Sequence, residues 1–392
     1  MNGAGLAAGV LNALYHVVVA RMLGPVSYGT LSALGTLALL LQTPVSIISL
    51  VYTRRGAGPS EVWRHAAGWV AAGTALWLAL FAVSGPVAEL FHLPPDLVVV
   101  TGLTVVPALA YGAFDGILQW AASFGWVGTL TVLDSLTRTL GAFATYAWRL
   151  GLTGLIVFGP LTALTDLVVA WFGVRRAVRW ATRQGLPHFS GLVNAGGVGV
   201  LALVLTSTDV LVAKHGLPPR AAGYYSGLAT MGRAPVFFAG AVGTVLLSSA
   251  QRDPGRARYY LVRSLVLVGA LGTIGVLVYV AAGHLAVSLM LGPRFLPMLP
   301  QLVVYTAAMT MQSAILVGLY YGASKNWRIP TVAAAVGFLA WMGLLWTSHH
   351  LDPLILRTIW VMAAILVLVL GSVGWLEWQQ GRAGRGGMRA DT

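Results

Sequence analysis

The sequence predicts an all-α integral membrane protein, with twelve transmembrane helices in two six-helix pseudo-symmetric lobes. Three observations support this: a charge-poor composition, a series of long apolar segments, and landmarks that recur in the second half. The 392 residues are 57% hydrophobic and 9% charged, whereas soluble proteins carry about 25% charged residues. Because the chain contains no cysteine, disulfide and thiolate chemistry are excluded.

Twelve apolar segments reach the roughly 20 residues that a bilayer span requires. The connectors between them are too short to hold a soluble domain. Four segments contain a proline, and each proline predicts a kink in its helix: Pro44, Pro107, Pro160 and Pro235. A kink leaves a backbone carbonyl without its helical donor, so a neighbouring helix must supply one. The predicted spans are 3–22, 29–53, 66–84, 97–120, 126–147, 152–174, 190–213, 223–249, 260–282, 298–322, 330–348 and 354–377.

The basic residues in the loops and at the ends of the spans are concentrated on alternate sides. The richer set holds sixteen of the 24 Lys and Arg residues: Arg54, Arg55, Arg64, Arg175, Arg176, Arg179, Arg183, Arg252, Arg256, Arg258, Arg263, Lys325, Arg328, Arg382, Arg385 and Arg389. Six occupy the other loops: Arg21, Arg149, Lys214, Arg220, Arg294 and Arg357. Because cytoplasmic loops carry the excess of basic residues, the chain is predicted to be a multi-pass protein of the cell membrane with both termini in the cytoplasm.

Three sequence landmarks recur in the same order, which indicates an internal repeat. Each pair lies in equivalent loops, and two halves of six spans would be parallel repeats with a site between them near the midplane. The pairs are Gly29 in PVSYGTLSAL with Gly223 in PPRAAGYYSGL, GPVAELFHL (85–93) with GHLAVSLML (283–291), and ASFGW (122–126) with ASKNW (323–327).

The repeat divides the chain into three predicted regions. Residues 1–185 form an N-terminal six-helix lobe with a cytoplasmic linker, and 186–378 form a C-terminal six-helix lobe. Residues 379–392 form a basic cytoplasmic tail containing GRAGRGGMRA. After a membrane span, such a segment is predicted to be a disordered anchor on anionic membrane lipids rather than a binder of nucleic acid.

Several segments resemble a known transporter family. They are ARMLGPVSYGTLSAL after the first span, GILQWAASFGW at the end of the fourth, TDVLVAKHGLPPRAAGYYSGLATMGR across the seventh and eighth, and LMLGPRFLPMLPQL before the tenth. They look like the polysaccharide-transporter branch of the multidrug/oligosaccharidyl-lipid/polysaccharide exporter superfamily. The resemblance covers nearly the whole chain.

Membership of that family would imply a two-lobed bundle around a central cavity. It would also imply that the bundle flips a polyprenyl-diphosphate-linked oligosaccharide across the cytoplasmic membrane during polysaccharide biosynthesis. Two features depart from parts of the superfamily. Some relatives have two further spans, and the first helix carries His16 where proton-coupled drug exporters have an acidic residue.

Two charged residues flank the turn between the seventh and eighth spans. Arg233 lies about ten residues inside the eighth span, too deep for easy snorkelling. Because the guanidinium fork matches phosphate oxygens, Arg233 is a candidate to bind the substrate diphosphate. The alternative is a structural pair with Asp209 on the adjacent helix, and an anion could open such a pair.

The first predicted lobe has its own intramembrane charges. Asp134 and Arg138 share a helix face at i and i+4. They either form a self-neutralising pair, or Arg138 points into the cavity while Asp134 tunes it or carries a proton. Asp166 is a candidate functional acid or a partner of either neighbour. His16 would titrate near neutral pH if hydrated, so it is either a proton-coupling residue or a hydrogen-bonded packing residue. Asp115 suits a gate or a loop cap.

Arg21 and Lys214 occupy equivalent positions at the outer ends of the first and seventh spans. They are interpreted either as interfacial anchors or as an outer-gate cation pair that receives the substrate head group. An H⁺ or Na⁺ gradient is a possible driving force. No cofactor and no metal site is predicted, since the outer-loop group His349, His350 and Asp352 is too small for a metal site.

The sequence contains no motif of nucleotide hydrolysis or metalloprotease chemistry, so an enzyme is not expected. The leading hypothesis is the lipid-linked oligosaccharide flippase. The main alternative is a cation-coupled multidrug antiporter of the same fold, which four intramembrane Asp residues support. More distant alternatives are a membrane glycosyltransferase or polymerase, which usually needs larger loops, and a non-transporting assembly scaffold.

Overall fold

A computed structural model describes residues 2–55, 59–177 and 207–387. These ranges form α-helices joined by short turns and two 3-10 segments. The predicted lobe boundary at 185/186 lies outside the described residues, as does most of the seventh predicted span, of which only 207–213 is described.

Each predicted span other than the seventh overlaps one or two of the described helices, although the first helix continues through the loop predicted between the first two spans. The described helices are α1 (Asn2–Leu41), α2 (Thr43–Arg55), α3 (Pro59–Ala82), α4 (Ser84–Phe91), α5 (Pro95–Gly102), α6 (Val105–Trp120), α7 (Phe124–Ala147), α8 (Gly151–Ala177), α9 (207–216, its described part), α10 (Pro219–Gly232), α11 (Ala234–Arg252), α12 (Ala257–Met290), α13 (Leu299–Ser324), α14 (Ile329–Trp346) and α15 (Leu351–Gly387).

Nine helical segments of the described ranges are long and apolar enough to cross a membrane. The first of them, Gly3–Thr53, combines the first two predicted spans. Helix α7 is not among the nine, because its threonines, Asp134 and Arg138 lower its mean hydropathy. A multi-pass membrane protein is therefore confirmed, whereas the total of twelve spans and the symmetry of the lobes stay predictions.

The described residues form two compact units. The first contains 2–55, 59–177, 210–226 and 287–296, and α6 lies at its centre against α2, α3 and α8. The close approach of α2 to α6 requires a glycine, because a Cβ atom at Gly116 would lie 2.3 Å from the Ser49 carbonyl oxygen.

The second unit contains 207–209, 227–286 and 297–387. Helix α13 is its central element and packs against α11, α14 and α15. Its side chains Tyr305, Leu319 and Tyr321 are fully buried. The unit is therefore organised around the helix that carries Tyr305.

Three of the four predicted proline kinks coincide with helix breaks. Pro44 follows the break between α1 and α2, Pro107 follows that between α5 and α6, and Pro235 follows that between α10 and α11. Pro160 instead lies within the uninterrupted helix α8. A further break lies inside α1 at Gly24, whose φ of 68° and ψ of 177° only glycine adopts readily.

The two glycines that the repeat pairs, Gly29 and Gly223, contact each other within the first unit. A Cβ atom on Gly29 would lie 2.9 Å from the Cα of Gly223, and a Cβ on Gly223 would lie 2.0 Å from the carbonyl oxygen of Pro25. The chain therefore crosses itself here backbone against backbone, which requires glycine at both positions.

The basic tail differs from its predicted disorder. Helix α15 continues to Gly387, ten residues past the predicted end of the last span. The Arg382 guanidinium carbon lies 4.0 Å from the centroid of a Trp378 ring, a cation–π contact one turn apart. Residues 379–387 are therefore helical, and the rest of the tail lies outside the described residues.

Candidate functional site

The break between α10 and α11 places Arg233 at a carboxylate. Its Nη2 atom forms an ion pair with both carboxylate oxygens of Asp209 on α9, and its Nε donates to the Tyr305 hydroxyl at 3.1 Å. Asp209 is fully buried and the Arg233 side chain is 11% exposed. The predicted pair is therefore formed, in a strongly desolvated setting where an unpartnered charge is costly.

A second tyrosine supports the backbone at this break. Pro235 has no N–H, so the carbonyl of Met231, four residues earlier, has no helical donor. The Tyr279 hydroxyl on α12 donates to that carbonyl at 2.8 Å. This satisfies the carbonyl that the kink frees, as the sequence requires, and it holds the helix end that carries Arg233.

Gly232 allows Tyr305 to approach the break. A Cβ atom at this position would lie 2.6 Å from the Cδ1 atom of the Tyr305 ring. The Tyr305 hydroxyl also lies 3.4 Å from Asp209 Oδ2. Asp209, Arg233 and Tyr305 form a connected triad, which we call the second-unit triad.

A separate group of charges lies in the first unit. The Arg138 guanidinium lies 2.8 Å from an Asp134 oxygen, and the two side chains are 48% and 35% exposed. Asp166 on α8 is buried, with Asp134 and Arg138 as its charged neighbours. Its Oδ1 atom has no hydrogen-bond partner among the described residues. We call Asp134, Arg138 and Asp166 the first-unit cluster.

His16 lies near this cluster, with Arg138 as its charged neighbour. Its Nδ1 lies 3.1 Å from the Tyr28 hydroxyl, and its ring packs edge-on against Tyr28. This geometry is that of a hydrogen-bonded packing residue. A role in proton coupling stays a prediction.

Asp115 serves as a link between two helices. It accepts hydrogen bonds from Ser49 on α2 at 2.7 Å and from Gln119 on its own helix at 2.8 Å. This arrangement joins α2 to α6, a contact that the sequence did not predict, and a role of Asp115 as a gate or a loop cap stays a prediction.

Arg21 and Lys214 make different contacts in the first unit. Arg21 donates to the carbonyl of Leu289 at 2.8 Å, near the C-terminal end of α12, where a cation is favourable. Lys214 is 4% exposed and donates to the Thr30 hydroxyl at 3.2 Å. Burial lowers the pKa of Lys214, which lies just beyond the seventh predicted span.

Sequence reasoning missed the two tyrosines of the second unit. Tyr305 lies 72 residues from Arg233 and Tyr279 lies 48 residues from Met231. Pro235 did signal that a donor was needed, but not which residue would supply it. Within the described ranges, no group of three or more His, Cys, Asp or Glu residues is arranged to hold a metal ion.

The structure is similar to three solved transporters. A lipid II flippase, MurJ, in an inward closed conformation matches with a TM-score of 0.71 and 15% identity over 95% of this chain and 87% of the flippase. A multidrug resistance MATE family transporter of the MOP superfamily, in an inward-facing conformation, matches with a TM-score of 0.68 and 12% identity. The match covers 96% of this chain and 95% of that chain. An outward-facing structure of a MATE family transporter of the MOP superfamily matches with a TM-score of 0.57 and 15% identity. The match covers 97% of this chain and 93% of that chain.

No protein-family model and no curated protein sequence matches the chain. The solved structures nevertheless extend over nearly its whole length. All three are transporters by their descriptions. The chain therefore has the fold of the lipid flippases and multidrug transporters of this exporter superfamily, as the motifs indicated.

Proposed function

We propose that this protein flips a polyprenyl-diphosphate-linked oligosaccharide across the cell membrane by alternating access, in a pathway of envelope polysaccharide synthesis. The observation that carries the proposal is the second-unit triad, a buried arginine in a chain with a flippase-like fold. An arginine inside a membrane protein is costly, and it commonly marks a substrate or ion pathway.

In the second-unit triad, the Asp209 carboxylate and a substrate diphosphate can alternate as the anion that pairs with Arg233. Asp209 neutralises Arg233 when no substrate is bound, which avoids an unpaired buried charge. A diphosphate presents more acceptor oxygens and more negative charge than a carboxylate, so it competes for the guanidinium. Tyr305 keeps Nε of Arg233 oriented through its hydroxyl.

Arg138 is the second substrate-binding candidate. Its contact with Asp134 uses the Nη2 atom alone, so Nη1 and Nε are the donors proposed to contact a ligand. Arg21 and Lys214 complete the proposed set of substrate-binding cations. The proposed coupling or charge-pairing residues are Asp209, Asp134, Asp166 and His16, with an H⁺ or Na⁺ gradient as the driving force.

The test is leaflet transfer of a labelled polyprenyl-diphosphate oligosaccharide in proteoliposomes. We expect Arg233→Ala to slow transfer about tenfold or more, because charge-assisted hydrogen bonds contribute about 1.5–3 kcal/mol. The matched control is Arg220→Ala, which removes an exposed arginine of α10 that contacts Tyr224. Wild-type rates in both Arg233→Ala and Arg138→Ala would refute the assignment of the substrate site.

The second candidate function is cation-coupled multidrug export. The first-unit cluster favours it, because Asp166 offers a buried carboxylate oxygen with no partner among the described residues. In that case Asp166→Asn would abolish drug efflux driven by an ion gradient, whereas the exposed control Asp96→Asn would not. Drug resistance conferred on a sensitive host, without transfer of lipid-linked sugar, would select this function over the first.

A further inference from the structure

The end of the first unit that the charge bias assigns to the cytoplasm carries a cluster of tryptophan and arginine. The Arg175 guanidinium carbon, in the last turn of α8, lies 4.1 Å from the centroid of a Trp171 ring and 5.8 Å from that of Trp63 on α3. The two indoles contact each other edge to face at 5.9 Å, and Trp63 also packs on Phe114. Two aromatic faces therefore position one arginine.

Arg175 has no ion-pair partner among the described residues. Its contacts are with the two indoles, and no carboxylate of the described ranges forms an ion pair with it. A cation–π contact orients a guanidinium without consuming its in-plane N–H donors. Arg175 therefore retains donors for an anion, and its planar fork suits phosphate oxygens.

An apolar stripe leads along α8 to this arginine. Its members recur every three or four residues, lie on one face of the helix, and are each about half exposed: Leu161, Leu164, Val168 and Phe172. At 1.5 Å per residue, the stripe runs for about 16 Å before the helix reaches Arg175. A hydrocarbon chain fits such a stripe, with a charged group at its end.

We propose that this surface binds an anionic phospholipid of the membrane leaflet on that side, with its phosphate at Arg175 and an acyl chain along the stripe. The stripe favours a lipid over free phosphate, because only a lipid uses both features. The neighbouring positive charges of Arg64 and Arg176 attract anionic head groups to the same region. This site is independent of the transported substrate.

The adjacent arginine provides a matched control. Arg176 occupies the same helical turn, but its guanidinium lies 6.0 Å from a single indole, Trp126, at the limit of a cation–π contact. Replacing either arginine by glutamine removes one charge from the same helix end. Only Arg175→Gln removes the donor fork that the two indoles position.

The experiment counts lipids bound to the purified full chain by native mass spectrometry during titration with phosphatidylglycerol or phosphatidylcholine. We expect tighter binding of phosphatidylglycerol to the wild type, and about tenfold weaker binding in Arg175→Gln, because this substitution removes charge-assisted hydrogen bonds to the phosphate as well as one positive charge. In Arg176→Gln we expect binding to remain within about twofold of wild type. Thermal unfolding verifies that both variants are folded.

Three outcomes would overturn the proposal. The first is equal affinity for the two lipids, and the second is equal weakening by both substitutions, which would indicate non-specific charge attraction. The third is displacement of phosphatidylglycerol by millimolar inorganic phosphate, which would mean that the stripe adds nothing. Quenching of tryptophan fluorescence by brominated phosphatidylglycerol, reduced in Arg175→Gln, provides a second readout.

Discussion

Asp209 and Arg233 form the interaction in which a single side-chain change has the largest expected effect. Removing one partner of a buried ion pair leaves an uncompensated charge, which costs about 3–5 kcal/mol. Replacing both partners by apolar residues of similar volume removes that cost, because no charge then remains in the interior. The double variant can therefore distinguish the contribution of the pair to stability from its contribution to transport.

We predict that Asp209→Leu and Arg233→Met each lower the free energy of unfolding by about 3–5 kcal/mol. The double variant should recover most of that loss, because it leaves neither charge unpaired. Thermal unfolding in detergent measures both effects. The control is Tyr305→Phe, which keeps the ion pair and removes one hydroxyl, and should cost about 1.5–3 kcal/mol because that hydroxyl is hydrogen-bonded to charged groups.

The same double variant tests the role of the pair in transport. If Arg233 binds substrate, the double variant should be folded and inactive in the transfer assay. A double variant that is folded and transports at the wild-type rate would show that the pair is structural only.

At the scale of the element, the kinked helix formed by α10 and α11 depends on one hydrogen bond from another helix. Tyr279 supplies the donor that Pro235 lacks. In a membrane interior no water is available to satisfy the Met231 carbonyl instead. The kink and the tyrosine therefore function as a unit.

We predict that Tyr279→Phe costs about 1–3 kcal/mol of unfolding free energy, because it leaves the Met231 carbonyl without a donor. Adding Pro235→Ala should recover part of this loss, because residue 235 regains an N–H for the same carbonyl. Thermal unfolding of the single and double variants measures the coupling. The control Tyr259→Phe, at a half-exposed tyrosine of the same helix, should be close to neutral.

An absence of rescue would show that the carbonyl is satisfied in another way. Rescue accompanied by loss of transport would mean that the kink itself, rather than its hydrogen bond, is needed for activity.

Prediction from sequence succeeded where the determinant is local. Helix positions follow from apolar length, and the Asp134–Arg138 pair follows from the i, i+4 spacing. It failed where a partner is remote in sequence, as with Tyr305 and Tyr279. The basic tail is predicted to be a disordered anchor, but the helix of the preceding span continues through most of it. The roles of the site residues in transport stay predictions.

At the scale of the whole molecule, the orientation in the membrane can be tested with few changes. The chain contains no cysteine, so a single introduced cysteine is the only thiol. Leu150, between α7 and α8, is 46% exposed, and Gln379 is exposed on α15. The charge bias assigns these two positions to opposite sides.

We predict that a membrane-impermeant maleimide labels Leu150→Cys in intact cells, and labels Gln379→Cys only after the membrane is permeabilised. The physical reason is the excess of basic residues in the loops on the side of Gln379. The reverse pattern would place both termini outside and would also assign the proposed phospholipid site to the other leaflet.

The crossing of Gly29 and Gly223 has a consequence for spectroscopy. A contact made only of backbone atoms has no side-chain rotamers through which it can loosen gradually, so partly separated geometries are not stabilised. A distance measured across it should fall into separate populations rather than one broad distribution. Spin labels on the exposed neighbours Val26 and Arg220, introduced as the only two thiols in the chain, would read that distance directly.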